Sequence, residues 1–80
     1  MKLYFKDSQG KERLVAESDT VGAIHKEIKR FLDEHGFISY YSRSWETDGR
    51  IKIDVGSWSE FFFIEGITHD EYIKALNEKG

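Results

Sequence analysis

The spacing of the apolar residues changes at Ser18, and that change constrains the fold more than any other feature of the chain. Before it, Leu3 and Phe5 alternate with Lys2, Tyr4 and Lys6, the two-residue period of a strand with one buried face. After it, Val21, Ile24, Ile28, Phe31 and Leu32 recur every three or four residues, the stripe of an amphipathic helix. The period of two then returns, with Ile51, Ile53 and Val55 on one side of the segment from Arg50 to Val55. A helical stripe set between alternating segments implies an α+β fold, in which a mostly antiparallel sheet is covered by the helix.

Turn and cap residues divide the rest. Asp7-Ser8-Gln9-Gly10 predicts a hairpin turn in which Gly10 takes a positive φ at low cost, and the returning strand places Leu14 and Ala16 opposite Arg13, Val15 and Glu17. Ser18 or Asp19 is the expected cap of the first helix and Gly36 its left-handed stop, while Gly22 in the first turn weakens it by roughly 1 kcal/mol relative to alanine. Phe37 to Trp45 reads as a strand joined to Arg50 to Val55 through Asp48-Gly49, a strong hairpin signal. Gly56-Ser57-Trp58-Ser59 reads as a turn. The run Glu60-Phe61-Phe62-Phe63-Ile64 is apolar on both faces, as in a strand that is central or covered on both sides. Thr68 and Glu71 form a capping box for a short second helix, with Ile67 and Tyr72 as a hydrophobic staple and Tyr72, Ile73 and Leu76 as its stripe. Residues 1–80 thus read as one α+β domain of about five strands in the order ββαβββα. Strand order does not follow from these patterns, and the second helix is left to cover either a sheet edge or part of the other face.

A chain of 80 residues buries only about 60% of its unfolded surface, so its core has to be dense. Six Phe, four Tyr and two Trp can make it so. With no cysteine there is neither disulfide nor thiolate zinc site, which suits a reducing compartment. Lys6 and Asp7 interrupt the N-terminal apolar residues before a signal sequence or membrane span can develop, so the expected location is cytoplasmic, with no membrane partner. The net charge of −3 offers no general attraction to nucleic acid or anionic lipid.

Chemistry is sparse. His25, His35 and His69 stand at no metal-ligand spacing, and solvent-facing or capping roles account for them; His35 falls near a helix C-terminus, where the dipole favours an imidazolium. Ser57, between Gly56 and Trp58, lacks the second glycine and the base of a nucleophile elbow. Asp54 and Glu60 face each other across a turn as an acid/base pair would, but ordinary surface charge explains them equally. No catalytic constellation, metal set or cofactor motif is present in the sequence, and the expectation is a protein that is not an enzyme.

The surface is more informative. If Leu3, Phe5, Ile51, Ile53 and Val55 face the first helix, the opposite face receives Lys2, Tyr4, Lys6, Arg50 and Lys52, joined by Tyr41, Arg43 and Trp45 if the third strand keeps the same phase. Tyr4, Tyr41, Arg43, Trp45 and Lys52 are the candidate partner-binding residues, since Tyr, Trp and Arg dominate protein interaction hot spots. Interleaved rings and cations also stack unpaired bases while neutralising phosphates, so single-stranded nucleic acid is the alternative partner. The plainer account is that the second helix covers these rings, or that Lys and Arg stems lie over them.

Tyr40-Tyr41-Ser42-Arg43-Ser44-Trp45, followed by Ile53-Asp54-Val55-Gly56-Ser57 and Glu60-Phe61-Phe62, resembles short proteins of unassigned activity carried by phages and mobile elements of Gram-positive bacteria. The resemblance covers roughly the middle third of the chain. It implies an accessory protein that acts inside a bacterial host by binding a macromolecule, and it assigns no role to any residue.

Overall fold

In the computed structural model, which describes residues 1–36, 43–56 and 59–78, the alternating segments pair into one five-stranded antiparallel sheet. The elements are β1 (Lys2–Lys6), β2 (Glu12–Glu17), α1 (Val21–Glu34), β3 (Arg43–Thr47), β4 (Arg50–Asp54), β5 (Phe61–Glu65) and α2 (His69–Glu78), in the ββαβββα order expected. The spatial order is β2-β1-β5-β4-β3. Two hairpins are therefore joined through β5, whose apolar residues on both faces match its central place. Phe37 to Ser42, the first part of the third expected strand, lie outside the described residues, as do Ser57 and Trp58 of the expected turn.

Local chemistry sets the turns. Asp7 Oδ1 accepts from the Gln9 and Lys11 amides, both at 2.9 Å, and Gly10 has φ +84°. Asp48 (φ 52°) and Gly49 (φ 76°) are both left-handed, the geometry that twists a two-residue hairpin the way its strands twist. The first helix is capped by Thr20, whose Oγ1 accepts from the Ala23 amide at 3.2 Å. Ser18 and Asp19, the expected caps, lie outside it; Ser18 Oγ instead accepts from the Thr20 amide at 3.3 Å and shapes the approach. Gly36 ends the helix region with φ +76°, as expected. The capping box of α2 is formed: the Glu71 amide donates to Thr68 Oγ1 and the Thr68 amide to Glu71 Oε1, both at 3.1 Å.

One phase differs. A bulge opens between the Leu3↔Ala16 and Tyr4↔Leu14 pairs, leaving Val15 as the extra residue. Ala16 pairs beside Leu3 toward the core and Leu14 beside Tyr4 on the other face, so the two do not share a face as alternation alone implied. Leu14 is accordingly 53% exposed.

Both helices pack on the same face. The core joins Leu3, Phe5, Ile51, Ile53, Val55, Phe62 and Ile64 from the sheet to Val21, Ile24, Ile28, Phe31 and Leu32 of α1 and Tyr72 of α2. Lys26, Lys29, Arg30 and Asp33 are exposed on the outer side of α1, where the stripe leaves them. No helix among the described residues is long and apolar enough to cross a membrane.

Candidate functional site

Because α1 and α2 share one face, the described residues put no element over the other. Strand pairing arranges its side chains in rows. The middle row runs Leu14, Tyr4, Phe63, Lys52, Trp45 from β2 to β3, and the row beside it runs Glu12, Lys6, Phe61, Asp54, Arg43. Four of the five candidate residues, Tyr4, Arg43, Trp45 and Lys52, thus fall on one surface; Tyr41 lies outside the described residues.

Cations lie on the rings. Lys52 Nζ is 4.0 Å from the Phe61 centroid, 5.9 Å from that of Trp45 and 6.0 Å from that of Phe63. Arg50 crosses the sheet diagonally, with its guanidinium carbon 4.1 Å above the Phe63 centroid, and forks onto Glu12 of β2 at 2.8 and 3.1 Å. Glu65 Oε2 stands 3.9 Å from the same guanidinium. Phe63 is thereby buried without belonging to the core under the helices, since aliphatic stems and a flat guanidinium cover it instead of apolar neighbours. This is the plainer arrangement in part: stems do lie over Phe61 and Phe63, whereas α2 covers none of the open face. Trp45 remains 40% exposed.

Ion pairs divide the charges of this face. Arg43 donates to Asp54 Oδ2 at 2.8 Å while its side chain stays 63% exposed. The Gly56 amide donates to Asp54 Oδ1 at 2.9 Å, and this bond first, then Arg43, holds the Asp54 carboxyl below the usual carboxylate range. The carboxyl that the sequence sets opposite Glu60 is thus engaged by Arg43 and the Gly56 amide. The hydrogen bond from Arg50 likewise lowers the Glu12 pKa. Cations Lys2, Lys6, Arg43, Arg50 and Lys52 alternate with anions Glu12, Glu17, Asp54 and Glu65, leaving the surface close to neutral within a chain of net charge −3.

A polar chain on the helix side escaped the sequence reading. Ser44 Oγ lies 3.1 Å from His69 Nε2, the His69 ring stacks on Tyr72 at 6.5 Å, and Tyr72 Oη lies 2.6 Å from His25 Nε2. His25 and His69 are half-buried here rather than solvent-facing, because the contact between β3, α1 and α2 brings together residues far apart in sequence. Burial pushes the Tyr72 phenol up to about 12. A neutral His25 accepts the phenol proton and a charged one donates to the phenol oxygen, so the link survives either state. His35 does cap its helix, with Nδ1 2.8 Å from the Phe31 carbonyl and its ring stacked on Phe31 at 3.9 Å.

A cleft of about 440 Å³ at the end of the β1–β2 hairpin is lined by Asp7, Glu12, Arg13 and His35 among others. Three of its charged groups are engaged in the fold: Asp7 holds the turn, Glu12 holds Arg50, and Arg13 lies over Phe5 and Phe31. Among the described residues no group of three or more His, Cys, Asp or Glu is placed to hold a metal ion. No family model, curated protein or solved structure matches the chain, so the functional reading has to come from this geometry.

Proposed function

We propose that the chain is a non-enzymatic interaction module which binds a protein through the open face of its sheet, in the setting of a phage or mobile-element accessory protein. One observation carries the reading. Among the described residues three large apolar side chains are exposed, Leu14, Trp45 and Ile73, and two of them lie in a single row of the open face, interleaved with Tyr4 and Lys52. Trp, Tyr and Arg on a mixed polar surface is the composition of an interaction hot spot. The resemblance of residues around Tyr40 to Phe62 to phage and mobile-element proteins supports the setting.

Single-stranded nucleic acid fits less well, since it requires cations free to neutralise successive phosphates along a stripe. Here Arg50 is forked onto Glu12 and Arg43 is bonded to Asp54. Affinity capture on immobilised wild-type protein, with and without nuclease, separates the two readings. The expected result is protein capture that resists nuclease and is lost with Trp45→Ala and Lys52→Ala. Tight binding of a mixed-sequence DNA oligonucleotide, falling steeply with salt, would replace this reading with the nucleic-acid one.

A further inference from the structure

Resting on the reading that the open face is a docking surface, we propose that its partner is a second copy of this chain, packed face to face about a two-fold axis along β5. Such an axis keeps each row in place and reverses its order. The middle row then sets Leu14 against Trp45 of the other copy and Tyr4 against Lys52, while Phe63 on the axis stays beneath the Arg50 and Lys52 side chains that cover it. The neighbouring row sets Glu12 against Arg43, Lys6 against Asp54, and Phe61 against Phe61. Every off-axis pair in these two rows is apolar, cation on ring, or of opposite charge. In the third row Lys2 faces Arg50 of the other copy and the two Glu65 carboxylates meet on the axis, so this row is complementary only in that two carboxylates lie among four cations.

Three further arguments favour this occupant. The two exposed large apolar side chains among the described residues of the face, Leu14 at one sheet edge and Trp45 at the other, are too far apart to cover one another within a chain, and the two-fold covers each with the other. The face is close to neutral, so two copies meet without the repulsion that the chain's net charge would otherwise impose. A two-fold along the central strand also carries a uniformly twisted sheet onto its own curvature, so the faces nest as in aligned sheet packing.

Size sets the strength. Five strands about 4.8 Å apart and five residues at about 3.3 Å each give a flat footprint of roughly 400 Å² per copy, about half that of a standard stable interface and in the range of weak, transient contacts. Association is therefore reversible, with a dissociation constant in the micromolar range or weaker.

Sedimentation velocity from about 1 μM to 1 mM tests the proposal. Wild type shifts from monomer to dimer across this range. Arg43→Glu turns both copies of the Glu12–Arg43 contact into facing carboxylates, and Glu12→Arg turns both into facing guanidiniums, so each variant alone stays monomeric. An equimolar mixture of the two satisfies both contacts and dimerises again, because one contact is native and the other is the same pair with its charges exchanged. Circular dichroism checks that both variants fold. If either does not, Trp45→Ala decides, since that ring lies outside the core and its loss should weaken the dimer by roughly tenfold or more without unfolding the chain. A wild type still monomeric at 1 mM overturns self-docking, as does a mixture that fails to associate or a dimer that Trp45→Ala leaves unchanged. If the wild type is monomeric but Trp45→Ala still abolishes capture of another protein, the docking face stands and only its occupant is wrong.

Discussion

The two faces of the sheet are made by the same strands and held by different physics. On the helix side, Leu3, Ile51, Ile53, Phe62 and Ile64 are fully buried against α1 and α2, and stability comes from apolar area removed from water. On the open side, Phe63 is almost as well buried, but beneath Arg50 and Lys52, and the charged end of Arg50 is held by Glu12. The first arrangement is close-packed and intolerant of change. The second is adaptable, because a stem laid across a ring can be lifted by a partner at a cost of about 0.5–1 kcal/mol per exposed cation–ring contact. A small domain can thus hold a full set of aromatic side chains without hiding all of them.

Substitution tests this contrast, with the largest effect expected on the helix side. Ile28→Ala, in the middle of the α1 stripe, should cost about 2–5 kcal/mol in urea unfolding, a large share of a small domain's stability. An unchanged midpoint would mean that burial of this face does not hold the fold. The second test is alkaline. The folded phenol of Tyr72 titrates near 12 and the unfolded one near 10, so its contribution is complete below pH 10 and is lost as pH rises through 12. That difference amounts to about 2–3 kcal/mol. Tyr72→Phe should flatten the stability profile over this interval, at a cost near neutrality of about 0.5–1.5 kcal/mol for the bond to His25.

Third comes the cap of α2. Thr68→Ala removes the acceptor of the Glu71 amide and should cost about 1 kcal/mol, with hydrogen exchange at Glu71 accelerated ahead of that in α1. The smallest effect belongs to the open side. Lys52→Ala should change stability by no more than about 0.5 kcal/mol, measured by thermal unfolding, even though Lys52 stands over three rings. A cost comparable to that of Ile28→Ala would erase the distinction between the faces and make Lys52 part of the core.

The sequence was most legible where a feature depends on neighbours along the chain. Periodicity located α1 and its buried residues, Asp48-Gly49 marked its hairpin, and Thr68 with Glu71 marked the start of α2. Three adjacent hydroxyl or carboxyl residues, Ser18, Asp19 and Thr20, can each cap a helix; the chain's approach decides among them, and it selects Thr20. The bulge at Val15 has no proline or glycine to announce it, so alternation alone puts Leu14 and Ala16 on one face where the strand separates them. For the open face, alternation along single strands named Tyr4, Lys52, Arg43 and Trp45, but their assembly into rows with Leu14 and Phe63 depended on strand order. The link between His25 and Tyr72 is tertiary throughout and left no local trace.

The central position of β5 also bears on how the chain reaches its fold. The strand made after all the others has to enter between two hairpins, pairing Glu65 with Lys2 across nearly the whole length of the sequence. Until Phe61–Glu65 has been synthesised, the sheet exists only as two separate hairpins, each exposing an unpaired strand edge. Closure of so long a loop is slow compared with hairpin formation, so insertion of β5 is the expected rate-limiting event. The incoming Phe61-Phe62-Phe63-Ile64 is also the most aggregation-prone run in the chain, and Glu60 and Glu65 on its flanks place a charge at each end of it during that wait.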